Sequence, residues 1–237
     1  MRISWNWLLT LIETDLTPQQ AAEVLTSTGL EVESVERIEP VKGMLDGVVV
    51  GEVVECRKHP DADRLSVCQV NVAGGAPLQI VCGAPNVAAG QKVLVATVGT
   101  TLHPIAGEAL TIKRSRIRGV ESQGMICAED ELGIGESHAG ILVLENSARA
   151  GTPAAEQLGM VADHVFEIGL TPNRADAMSH IGVARDLAAA VLVRGLGKAL
   201  VHWPSVDTFT PAPDRTGVLV EVKAAAACPR YAGLTLE

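Results

Sequence analysis

Four cations fall within six residues at Lys113-Arg114-Ser115-Arg116-Ile117-Arg118, the strongest electrostatic candidate in the chain. Such a run at the end of a strand can reach phosphate oxygens. It can equally be the charged guard of a solvated sheet edge. A second group, His59-Pro60-Asp61-Ala62-Asp63-Arg64, combines an imidazole, two carboxylates and a guanidinium. As a metal site it lacks further convergent ligands, whereas Pro and Asp at a strand connection are ordinary turn chemistry. Arg64 is its member best suited to recognition, set against pairing with Asp61 or Asp63. Ser122 in Ser122-Gln123-Gly124-Met125 has no base and orienting group that sequence alone puts beside it, so the run reads as a backbone bend. Asn173 and Arg174 stand at a turn before a helix, where Arg174 can bridge to Asp176 or a neighbouring domain, or touch nucleic acid directly. No residue is assigned as catalytic and none as a metal ligand. The candidates for nucleic-acid contact are Arg64, Lys113, Arg114, Arg116 and Arg118.

Composition bounds what these residues can do. The chain has 237 residues, 47% hydrophobic and 20% charged, enough to bury a core and too apolar for global disorder. Runs such as Val48–Val50 and Leu187–Val193 are too short to span a bilayer, and the opening Met1–Trp7 carries no signal-peptide pattern. Five cysteines without a C-x-x-C pair read as small buried hydrophobes in a reducing, cytoplasmic setting. The net charge of −9 does not advertise phosphate binding, so a nucleic-acid role has to come from a patch or from a partner. Residues 41–150 hold ten Lys and Arg against twelve Asp and Glu, a balance of −2. They also contain no Phe, Tyr or Trp, which removes the stacking platforms of general single-strand binders; contact with a folded RNA through backbone and shape, or a structural role, stays open.

The elements that must position these groups fall into three textures. Residues 1–40 read as a strand, on which Trp5 and Trp7 alternate, followed by a helix. Thr17-Pro18-Gln19-Gln20 is a helix start, Ala21, Val24, Leu25 and Thr28 share a face, and Gly29 ends it. Leu30–Val35 then alternates as a strand. Residues 41–150 read as entirely β, with strands at Val48–Cys56, Leu65–Val72, Leu78–Cys82, Lys92–Val98, Ala109–Ile117 and Gly140–Leu144, a pattern for a small barrel or sandwich. From 151 the helical period returns: a short helix at Pro153–Leu158, a strand at Val165–Ile168, and a helix over Ser179–Arg194 ended by Gly195. Residues 199–216 read as a connection, Gly217–Lys223 as the start of a new strand, and the stop at Glu237 in mid-pattern predicts a fragment.

Several ordered motifs carry a resemblance. His59–Leu65, Ile80-Val81-Cys82-Gly83-Ala84-Pro85-Asn86-Val87, Gly90–Val93, Ile117–Cys127 and Glu131-Leu132-Gly133 resemble the tRNA-binding OB-fold domain of several aminoacyl-tRNA synthetases and their accessory factors. The flanks Ile3–Leu8, Thr26–Glu33, Leu170–Ala177 running into Ser179–Asp186, and Cys228-Pro229-Arg230-Tyr231 are similar to the N-terminal region of the bacterial phenylalanyl-tRNA synthetase β-subunit family. The resemblance implies a multidomain α+β chain. A small split α+β domain (1–40 plus 151–200) would carry an inserted OB-fold β-barrel (41–150), followed by a linker and the truncated start of a further domain (201–237). It implies an α-subunit partner in an (αβ)₂ heterotetramer, tRNA as ligand, no membrane, no DNA, and ATP with magnesium for the whole enzyme but no cofactor in this fragment. Editing and anticodon recognition would lie beyond Glu237, leaving the fragment itself non-catalytic. The competing expectation is a free-standing tRNA-binding OB module, which would lack the Thr171–Arg174 helix segment. A hydrolase in its own right lacks an acid–base or metal constellation.

Overall fold

The computed structural model describes residues 1–210, 220–231 and 233. They form two compact units, Met1–Val201 and the residues from His202 onward. In the second unit the described residues contain turns and bends only. The expected strand Gly217–Lys223 lies partly outside the described residues, and Val220–Lys223 forms no strand.

The first unit begins with β1 (Arg2–Ser4), α1 (Trp5–Leu8), β2 (Ile12–Thr14), α2 (Pro18–Thr26) and β3 (Glu31–Ile38). The expected strand through both tryptophans is corrected to a helical turn. The Ser4 hydroxyl accepts the Trp7 amide at 3.0 Å, and Asp163 takes the Asn6 amide at 2.9 Å. The turn sends Trp5 into the core, 5.6 Å from the Phe166 ring, and leaves Trp7 exposed and stacked on His180 at 4.0 Å. Helix α2 starts as its sequence dictates, since the Gln20 side chain accepts the Thr17 amide while Thr17 Oγ1 accepts the Gln20 amide.

A run of strands follows: β4 (Val48–His59), β5 (Ala62–Asn71), β6 (Leu78–Cys82), β7 (Lys92–Thr97), β8 (Thr101–Leu102), β9 (Leu110–Thr111), β10 (Ser115–Ile117), β11 (Val120–Ser122) and β12 (Gly124–Ile126). Then come α3 (Glu129–Leu132) and β13 (Val143–Leu144). The all-β reading of 41–150 is therefore corrected by α3 and by a 3₁₀ turn at Lys42–Leu45. The expected strand Ala109–Ile117 is broken into β9 and β10, because Ile112 turns into the core while its amide bonds the Thr100 carbonyl. The main sheet is antiparallel in the order β12-β7-β4-β5-β6, with β13 also on β7. Strand β7 sends Leu94 and Ala96 to one apolar cluster and Val93 and Val95 to another, so the sheet is buried on both faces.

The chain closes with α4 (Ala154–Gln157), β14 (Asp163–Gly169), α5 (His180–Arg194) and β15 (Ala199–Val201). Strand β14 lies between β1 and β3, and β15 pairs with β2, which corrects the reading of 199–201 as connection. Phe166, Ile168, Ile3, Leu8, Leu25 and Leu187 are fully buried in the resulting core. Gly195 caps α5 in the left-handed conformation. None of the helices among the described residues is long and apolar enough to cross a membrane.

His180 ties α1 to α5 and has a measurable consequence. Its Nε2 accepts the Ser4 amide at 3.0 Å, so the bond needs a neutral ring. Burial pushes its basicity below the ordinary value of 6.5, and Asp163 opposes this only in part. Stability is then full above about pH 6.5 and lost as pH falls through the lower, folded-state value. Asp163 is only partly buried, and hydrogen bonds from Ser4, Asn6 and His164 hold its carboxyl down against that desolvation, so its own loss lies at more acidic pH. Calorimetry from pH 7 to 5 is expected to show a falling melting temperature, and a shallower fall in His180→Gln, whose amide oxygen still accepts. The exposed His138, raised by its hydrogen bond to Asp130, is common to both proteins and cancels in the difference. Parallel curves would refute the assignment.

Candidate nucleic-acid interface

The basic run is carried by a small hairpin outside the main sheet. Lys113 and Arg114 lie in the connection after β9; β10 and β11 then pair as Ser115↔Ser122, Arg116↔Glu121 and Ile117↔Val120. Arg118 and Gly119 make the two-residue turn, both with positive φ, at 44° and 87°. A Gly in such a turn relieves the Cβ clash of the left-handed region, and its neighbour has no such relief. Lys113, Arg114, Arg116 and Arg118 are all exposed. Arg114 reaches Glu121 at 3.6 Å, while Lys113, Arg116 and Arg118 have no ion-pair partner among the described residues.

Side chains anchor this hairpin. At its base the Ser122 hydroxyl, 2% exposed, accepts the Val81 amide and donates to the Gly124 carbonyl, each at 3.1 Å. The hydroxyl is thereby committed to backbone. The Gln79 amide donates to the Glu121 carbonyl at 2.9 Å, and the Gln123 amide to the Gln79 carbonyl at 2.8 Å. Gly124 passes so close to β7 that a Cβ there would sit 2.9 Å from the Ala96 carbonyl oxygen.

At the tip the anchor is His59, at the end of β4 and 5% exposed. Its Nδ1 accepts the Asp61 amide at 3.1 Å, so Nε2 carries the proton and donates to the Ile117 carbonyl at 3.1 Å. This bond brings together two groups far apart in sequence, the His59–Arg64 turn and the basic hairpin. Arg64 is exposed and, among the described residues, forms no ion pair with Asp61 or Asp63. Sequence reasoning missed Arg57 and Lys58, exposed on β4 just before His59; their adjacency to the His-Pro turn was the available signal. It also read His59 only as part of a turn. Arg174, by contrast, bridges Asp176 at 3.0 Å and Asp186 at 2.5 Å, within its own side of the fold. These carboxylates raise its already high basicity.

An open groove of about 620 Å³ runs beside the hairpin, bordered by Cys82, Lys113, Ser115, Ile117, Ser122 and Met125. Its border has no aromatic residue except His138, so it offers apolar and backbone surface, with little for base stacking. Among the described residues no three metal-ligating side chains converge. Burial pushes the thiols of Cys68 and Cys127 up to about 12, and that of Cys82 upward as well. Such thiols do not supply thiolate nucleophiles near neutral pH.

Comparison with known proteins gives these features a setting. A family model described as "Putative tRNA binding domain" matches residues 48–153, a stretch that contains both the His59 turn and the hairpin. A phenylalanine–tRNA ligase beta subunit of Bacteroides fragilis is 53% identical over the whole chain, which covers 29% of that protein. One from Porphyromonas gingivalis is 51% identical, again over the whole chain and 28% of the relative. The chain thus spans less than a third of the length of these relatives. A solved MetRS-related protein from Pyrococcus horikoshii is similar over 44% of this chain and 85% of its own, at 19% identity and a TM-score of 0.32.

Proposed function

From a chain related along its whole length to the N-terminal region of bacterial phenylalanine–tRNA ligase beta subunits, and carrying a tRNA-binding-type domain, we propose a scaffold that also contacts tRNA through its basic hairpin. The observation that carries the reading is that hairpin: four exposed cations, pinned to the His59 turn, inside the stretch matched by the tRNA-binding family. Arg64, Lys113, Arg114, Arg116 and Arg118 are the proposed phosphate contacts. Similarity through both flanks favours this reading over a free-standing module.

The wider role belongs to the same proposal. The subunit partners an α subunit in an (αβ)₂ heterotetramer, in the cytoplasm, and supports ATP-dependent phenylalanylation of tRNA. Five unpaired cysteines accord with a reducing compartment. ATP and magnesium serve the whole enzyme. We read 1–40 with 151–200 as one α+β domain because β14 sits between β1 and β3. We read 41–150 as an OB barrel because the Gln123–Gln79 and Ser122–Val81 bonds join the β11–β12 corner to β6, at the far edge of the sheet from β12.

The test is tRNAPhe binding across salt concentration, wild type against the Lys113/Arg114/Arg116/Arg118→Ala variant. Each lost phosphate contact is expected to reduce the log–log salt slope by about one. A variant that binds with the wild-type slope would overturn the phosphate-contact reading.

A further inference from the structure

Resting on that reading of the hairpin, we propose that Arg118 is the cation on which phosphate contact hinges and that His59 is the positioning residue that presents it. Three observations converge. Arg118 stands at the first position of a two-residue turn with φ of 44°, a conformation that suits Asn or Gly and disfavours any bulky residue. A long cation held there works against the local backbone, and strain of this kind gathers where a side chain is needed for function. The guanidinium is also exposed and has no ion-pair partner among the described residues, whereas Arg114 is engaged by Glu121.

The third observation is how the tip is held. The β10–β11 pair is not in the main sheet, so no ladder fixes the direction of its turn. The residue preceding Arg118 is instead gripped through its carbonyl by the buried His59 ring, which the Asp61 amide holds from the other side. The ring therefore sets where the Arg118 side chain leaves the surface relative to Arg64, five residues along from His59. The ligand is a phosphate of a folded RNA backbone, since no aromatic platform accompanies the cations.

Charge-neutral substitutions at His59 separate positioning from packing. At pH 8 neither His59→Asn nor His59→Gln changes the formal charge. An Asn oxygen can replace Nδ1 as acceptor for Asp61 but its amide does not reach Ile117, while a Gln amide reaches as far as Nε2 does. The experiment measures tRNAPhe affinity against salt, with melting temperatures, for 1–237. Arg118→Gly is expected to lower the salt slope by about one and affinity several-fold, while raising the melting temperature by about 2 °C as backbone strain is relieved. Arg114→Ala, the same loss of charge at a cation that Glu121 already engages, is expected to lower the slope by less than Arg118→Gly does. His59→Asn is expected to lower the slope as Arg118→Gly does, and His59→Gln to restore it.

Equal slopes for Arg114→Ala and Arg118→Gly would overturn the role of Arg118. A wild-type slope in His59→Asn, or equal losses in Asn and Gln variants, would overturn that of His59. Should the four-cation variant also bind with the wild-type slope, the phosphate-contact reading itself falls. If that variant alone loses its slope, only the present inference does.

Discussion

Gly182→Ala is expected to lower the melting temperature by about 6–12 °C, the equivalent of roughly 3 kcal/mol in a protein of this size. The sign is opposite to the usual one, because replacing a helical glycine by alanine ordinarily stabilises by about 1 kcal/mol. Gly182 lies in the first turn of α5, where its amide donates to the Ser179 hydroxyl at 3.1 Å. The Ala175–Ala177 turn packs directly on it. A Cβ at this position would fall inside contact distance of the Asp176 carbonyl oxygen and 2.8 Å from the Ala177 Cα. Both are backbone atoms, so no rotamer change relieves the overlap and either helix or turn must move. Movement would also pull Arg174, just before the turn, away from Asp186 on the helix. Gly75→Ala, with nothing within 4 Å, is the control and should be near neutral. Differential scanning calorimetry on both proteins decides the matter, and an unchanged or higher melting temperature for Gly182→Ala would show that the turn yields freely.

Phe166→Ala is expected to cost about 3–5 kcal/mol, the range for truncating a fully buried aromatic ring. Phe166 is 0% exposed, pairs with Ile3 and Val35 across two strands, and packs against Trp5. The vacated space borders side chains from β1, β3 and α1, none of which can close it without leaving its register. The loss should also be local. Residues 41–150 contain no tryptophan and Trp203 is already exposed, so the change in Trp fluorescence on unfolding reports mainly on Trp5 and Trp7 beside β14, while far-UV circular dichroism reports on every strand. In urea the fluorescence transition is expected to move further than the dichroism transition, separating two curves that lie closer in the wild type. Coincident curves with a loss below about 1 kcal/mol would show that this core collapses around the gap.

These effects depend on features unequally legible in the amino-acid sequence. Helix α2 was readable because Thr17-Pro18-Gln19-Gln20 satisfies its own free amides locally, and α5 because its apolar spacing and Gly195 mark face and end. Strands β4 to β7 were readable because alternation and turn residues bound them. What escaped was set by distant partners. Trp5–Leu8 is helical because Asp163 binds the Asn6 amide, and Ala199–Val201 is a strand because β2 offers it an edge. The cation cluster was visible as composition, but its tie to the Arg64 turn depends on one bond between His59 and Ile117 that no local pattern announces. The clash behind Gly182 is equally invisible, since helical propensity there argues for alanine.

The pairing of Ile3 with Phe166 sets a timetable for the ribosome. At about 5–20 residues per second, strand β1 is synthesised roughly 8–33 s before its partner β14. During that interval Ile3, Trp5 and Leu8 have none of their final neighbours on β14 or α5, while β4 can pair with β5 and then with β7 well before it ends. The nascent chain therefore carries an unpartnered apolar strand and helical turn alongside a growing sheet. The helical turn at Trp5–Leu8, with Ser4 and Asn6 waiting for Asp163, can lock only after β14 is made, although it precedes the whole sheet in the chain.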